Sequence, residues 1–152
     1  MKFPGSMQRL LRLRKSLERQ EEMKVALASA RVGAARAGLD AARHQSREER
    51  DALQRELRGS DAVDGAELQV SGLQREAEAG REQRLREQLA RLQAAHALQV
   101  EILQARQRER KTLDILEEHC VRAERRQQER REQAALDEAF LLRQPVGEEP
   151  KH

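Results

Sequence analysis

Residues 85–143 read LREQLARLQAAHALQVEILQARQRERKTLDILEEHCVRAERRQQERREQAALDEAFLLR, with neither Pro nor Gly. Apolar residues return in alternating steps of three and four: Leu85, Leu89, Leu92, then Leu103, then Leu113, Leu116, Cys120 and Ala123. That spacing draws one narrow stripe along a helix, of the width used in coiled coils. Arg, Glu and Gln fill the positions between, and all three favour helix and tolerate water. A helix of about 60 residues is roughly 90 Å long. Its stripe needs a second helix to cover it.

The rest of the composition agrees. The chain is 38% charged and 38% hydrophobic, with two Phe and no Trp or Tyr. Globular cores draw heavily on large aromatics, and their scarcity here points to long helices. Disorder, the other class open to so polar a chain, is set aside because the apolar residues are periodic. The net charge is +3, but 30 basic residues stand against 27 acidic ones. Interleaved signs mark a solvated helix face more than a nucleic-acid surface. Stacking aromatics for single strands are also missing. Cys120 is the one cysteine, lies on the stripe and reads as a small packed hydrophobe. No apolar run reaches the ~18 residues that span a membrane. The basic N-terminus lacks the apolar core of a secretory signal.

Upstream, residues 1–6 (MKFPGS) form a short lead with Ser6 as expected N-cap. Helix 1 is expected over about 7–57, carrying Leu10, Leu13 and Leu17 and later Leu53 and Leu57. Gly33 and Gly38 interrupt its Ala-rich middle and are expected to let a partner helix approach closely. Residues 58–65 form the turn, with Gly59 ending one helix and Ser60 or Asp64 capping the next. Helix 2 is expected over about 66–144. Pro145, Gly147 and Pro150 then stop it, leaving 145–152 as a disordered tail.

Two long helices joined by a short turn lie antiparallel. The expectation is therefore an all-α fold with one domain over 1–144: a coiled-coil hairpin whose second helix is longer and protrudes. Folding at the turn makes paired residue numbers add to about 126, which sets Leu53 against Leu73, Met23 against Leu103, Leu13 against Leu113 and Leu10 against Leu116. Helix 1 then runs out opposite His119, and Cys120 to Arg143 has no partner within the chain. This overhang holds the candidate partner-binding residues Arg122, Arg125, Arg126, Arg130, Arg131, Glu132, Gln133, Leu136, Asp137 and Phe140. An isolated helix of that length is marginal in water, so another protein is expected to complete it.

Catalytic and metal-binding patterns are not in the sequence. His44, His96, His119 and His152 have no partner at ligand spacing except the adjacent Cys120, and neighbours on a helix point about 100° apart. Phosphate loops, nucleophile elbows and HExxH are absent, so neither an enzyme nor a cofactor is expected.

Leu10 through Glu18, Arg110 through Glu118 and Glu132 through Glu138 are three segments that resemble the flagellar FliJ family. Leu10-Leu11-Arg12-Leu13-Arg14 through Glu18 is similar to its LLxLRxxxE opening. Arg110-Lys111-Thr112-Leu113, with Leu116, Glu117 and Glu118, is similar to its RKxLxxLxE stretch. Glu132-Gln133-Ala134-Ala135-Leu136-Asp137-Glu138 is similar to its closing EQxxLDE, the most specific of the three. Arg14, Glu18, Lys111, Glu117 and Glu138 are the further matching positions. Mid-hairpin aromatics common in the family are absent here.

The resemblance implies a soluble component of the type III flagellar export apparatus, shaped like the central stalk of a rotary ATPase. It implies docking to a hexameric export ATPase, contact with a membrane export gate, and escort of export chaperones. The place implied is the cytoplasm, peripherally at the cell membrane. Residues alone leave other readings open: the stalk of a virulence type III system, a basic coiled coil on nucleic acid, or a generic dimerising coiled coil.

Overall fold

The computed structural model describes residues 3–59 and 65–144. Helix α1 spans Gly5–Gly59 and helix α2 spans Gly65–Arg143. The two pack against each other as a helical hairpin, 98% of it helical, with no strand among the described residues. The expected caps Ser60 and Asp64 and the expected tail 145–152 lie outside the described residues.

The start of α1 differs from the expectation. The Pro4 carbonyl accepts from the Met7 and Gln8 amides, each at 3.0 Å, and Ser6 is inside the first turn. A proline's fixed φ suits a helix start, and its carbonyl satisfies amides that would otherwise need the serine. At the other end the Gln144 amide donates to the Phe140 carbonyl at 3.0 Å.

Burial traces the seam. On α2 the less exposed positions step by three and four without a break: Glu78, Glu82, Leu85, Leu89, Leu92, His96, Gln99, Leu103, Arg106, Arg110, Leu113, Glu117, Cys120, Glu124. This is a heptad stripe in which polar residues hold more than half the places. Leu116, expected on it, is 41% exposed.

Contacts divide the chain into two units, Met1–Glu18 with Arg106–His152, and Arg19–Ala105. In the first, Phe3, Leu11, Glu18 and Cys120 are buried. Leu13 is 55% exposed, so the expected Leu13–Leu113 contact does not form the seam. Leu10 and Leu17 are half-buried, and the seam runs between them through Arg14. In the second unit Glu21 and Leu39 are buried, while Met23 and Leu73 turn outward at 73% and 65% exposure.

The antiparallel register nevertheless lies near the expected one. Residue numbers add to 123 for the pair Arg14–Glu109 and 128 for Glu18–Arg110 in the first unit. In the second they add to 125 for Arg43–Glu82 and 120 for Glu21–Gln99. On α2 the expected stripe keeps its face at Leu85, Leu89, Leu92, Leu103, Leu113 and Cys120, while on α1 Leu13 and Met23 turn outward, so some of the expected pairs do not meet.

Gly33 and Gly38 do not serve the hairpin's packing. A Cβ built on either meets nothing within 4 Å, and both residues are exposed. The Gly33→Ala, Gly38→Ala chain is therefore expected to gain stability, by about 1 kcal/mol per site from helix propensity alone. Thermal melts followed by circular dichroism check this, and a lowered midpoint would show that a side chain is not accommodated there.

Candidate functional site

The far end of α2 is the first candidate. Cys120, expected as the first uncovered residue, is 9% exposed. Coverage continues to Glu124 because α1 starts earlier than expected and Phe3 is buried too. Every described residue from Arg125 to Gln144 is exposed.

That exposed segment and the turn before it hold all ten candidate residues. Arg126 donates to the Arg122 carbonyl at 3.4 Å, and Gln133 donates to Asp137 at 3.0 Å. Among the described residues no ion pair joins Arg122, Arg125, Arg126, Arg130 or Arg131 to a carboxylate. Arginine at such exposed positions can reach an outside acceptor with its planar fork of donors. Leu136 and Phe140, four apart and hence on one face, are 65% and 64% exposed. Glu132 and Glu138 are exposed alongside. A shallow groove of about 490 Å³ lies at the root of the segment, lined by Asp114, Glu117, Glu118, Val121, Arg122 and Arg125.

Beside it is a polar seam that hydrophobic reading missed. Arg110 donates through Nε and Nη2 to the two oxygens of Glu18, the latter at 3.3 Å, and through Nη1 to Asp114 at 2.6 Å. Glu18 first, then Asp114, hold the Arg110 proton more firmly than usual. Arg14 donates to Glu109 at 2.6 Å, and Arg106 lies 3.5 Å from the same carboxylate. So the matching residues Arg14 and Glu18 are cross-helix partners, Glu117 is half-buried on the seam, and Lys111 is exposed. In the sequence Arg110 stands out only as the first residue of the RKxLxxLxE-like stretch, and Glu109 carries no signal of its own.

The second unit carries its own polar pairs. Gln99 donates to Glu21, and Arg43 donates to Glu82 at 3.0 Å, lowering the Glu82 carboxyl's pKa. Glu49 and Glu78 hydrogen-bond to each other beside Gln45, Ser46, Arg50 and Arg81. Glu49 raises Glu78 above the usual 4.5, and Glu78 lowers Glu49 below it.

A raised group contributes stability below its unfolded pKa and loses it as pH climbs through the folded value; a lowered group does the opposite. Glu78 therefore loses its contribution as pH climbs, and Glu49 loses its own as pH falls. Relative to the native chain, Glu78→Gln is expected to gain stability as pH rises from about 4.5 to about 7. Melts at the two pH values test this, and identical shifts in both chains would show that no proton is shared.

No described helix is long and apolar enough to cross a membrane, and no group of three or more His, Cys, Asp or Glu among the described residues could hold a metal. A long helix pair with a polar seam and an uncovered, arginine-bearing end defines a coiled-coil hairpin. Residues 2–146 match the family described as Flagellar FliJ protein, nearly the whole chain, and the chain belongs to that family. Membership supports a component of the flagellar export apparatus. No curated protein and no solved structure matches.

Proposed function

We propose that this chain is a non-enzymatic stalk of the flagellar type III export apparatus, docking to the hexameric export ATPase through α2 from Arg122 to Arg143. The same reading makes it a link to the membrane export gate and to export chaperones, working in the cytoplasm and peripherally at the membrane. Family membership gives the apparatus. The observation that carries the docking end is the full exposure of Arg125–Gln144, with arginines unpaired and Leu136 and Phe140 uncovered.

A single helix leaving its partner is marginal in water and gains from being gripped. Its two kinds of contact suit different tasks. Arginines steer a carboxylate-bearing surface toward the helix, and the apolar pair at i and i+4 anchors it in a groove. Capture from the native host with the full chain as bait, at physiological salt, tests the reading. Recovery of the export ATPase is expected, with gate protein and chaperones as further partners. Recovery of the gate or chaperones without the ATPase would reject the docking assignment and keep the link.

A further inference from the structure

The seam of α2 repeats so evenly that apolar matching alone does not choose a register. Because positions recur every seven residues, sliding Met1–Glu18 by one heptad along Arg106–His152 again lays seam on seam. The polar residues respond differently. One heptad away from Arg110, Glu18 would lie level with Leu103 or with Glu117, an alkyl group or a second carboxylate. One heptad away from Glu109, Arg14 would lie level with Ile102 or Leu116. Both slips strand a charge in the seam, and Glu18 is only 7% exposed. Every buried side-chain polar atom among the described residues has a partner in the register observed.

We propose that the Glu18–Arg110 and Arg14–Glu109 pairs set the register of the first unit, and with it the point on α2 where the uncovered segment begins. Asp114, one turn along α2, holds Arg110 from its own helix, so the guanidinium is aimed before Glu18 meets it. A slip of one heptad moves the helix start by about 10 Å. It would cover Arg125, Arg126, Arg130 and Arg131 or uncover α2 back to Glu117. The register belongs to the hairpin itself, whether or not the uncovered end meets an ATPase.

Cys120 makes the register readable, because it is the chain's one cysteine and is buried, as Phe3 is. Phe3 and Cys120 add to the same 123 as Arg14 and Glu109. In a Phe3→Cys chain, mild oxidation is expected to join position 3 to Cys120. In Cys120→Ser chains carrying Phe3→Cys with Leu113→Cys or Gln127→Cys, the slipped registers, it is expected to join almost nothing.

Adding Arg14→Leu, Glu18→Leu and Arg110→Leu should bring all three yields within about tenfold of one another, the mark of an unspecified seam. Helicity by circular dichroism is read in parallel. A leucine-seamed chain that still closes only onto position 120 overturns the proposal. Should that chain not fold, the Gln triple Arg14→Gln, Glu18→Gln, Arg110→Gln keeps side-chain length and polarity without charge, and its yields decide in the same way.

Discussion

Arg110→Leu is expected to lower the thermal midpoint by roughly 5–10 °C, the largest stability loss foreseen from one polar substitution in this chain. Glu18 is 7% exposed and its carboxylate takes two hydrogen bonds from Arg110. Without them the carboxylate stays in the seam facing a leucine. Breaking a buried pair by removing one partner costs about 3–5 kcal/mol, and the partial exposure of Arg110, 25% at the side chain, brings this toward about 2–3 kcal/mol. In a chain of this size each kcal/mol moves the midpoint about 2–4 °C.

The companion chain Glu18→Leu, Arg110→Leu should melt near the native midpoint or above it, since an apolar pair of similar volume needs no desolvation. The contrast between single and double substitution identifies the cause. Equal losses in both would mean that packing of the long side chains, not the stranded charge, sets the effect.

The same pair shows where reading the sequence succeeds and where it stops. Length, lack of aromatics and helical periodicity suffice for two helices folded back on each other, and folding near 58–65 gives a register close to the observed one. Rotation about each axis is harder. Leu10, Leu13 and Leu17 are spaced by three and four, but so are Leu10, Arg14 and Leu17. Apolarity favours the first set, yet Leu13 is 55% exposed and Arg14 takes the seam. Arginine does this because its alkyl stem covers apolar surface while its head reaches Glu109. On α2 His96 and Gln99 continue the stripe between Leu92 and Leu103, and Gln99 bonds Glu21. Polar seams hide from hydropathy because each member is explained only by its partner on the other helix, here 39 to 95 residues away for the hydrogen-bonded pairs. The uncovered end was legible for the opposite reason. It depends on where α1 runs out, a matter of length, and Phe3 and Pro4 carry the coverage about one turn further along α2.

Reversing Arg125, Arg126 and Arg130 to Glu together is expected to leave the midpoint nearly unchanged and to abolish stimulation of the export ATPase. All three are exposed, and among the described residues none is paired with a carboxylate. Exposed substitutions of this kind usually stay within about 0.5 kcal/mol each. The field of the segment, however, changes sign. A surface that attracts arginines repels glutamates, and like-charge contacts at an interface cost several kcal/mol in binding.

Leu136→Ala with Phe140→Ala completes the test from the other side, removing apolar anchors that are 65% and 64% exposed while leaving every charge in place. Loss of stimulation that high salt also produces in the native chain would assign docking to the arginines. Loss only in the alanine chain would move it to the apolar tip. Full stimulation in both variants would reject docking through this segment, because these substitutions together alter both kinds of contact the segment offers.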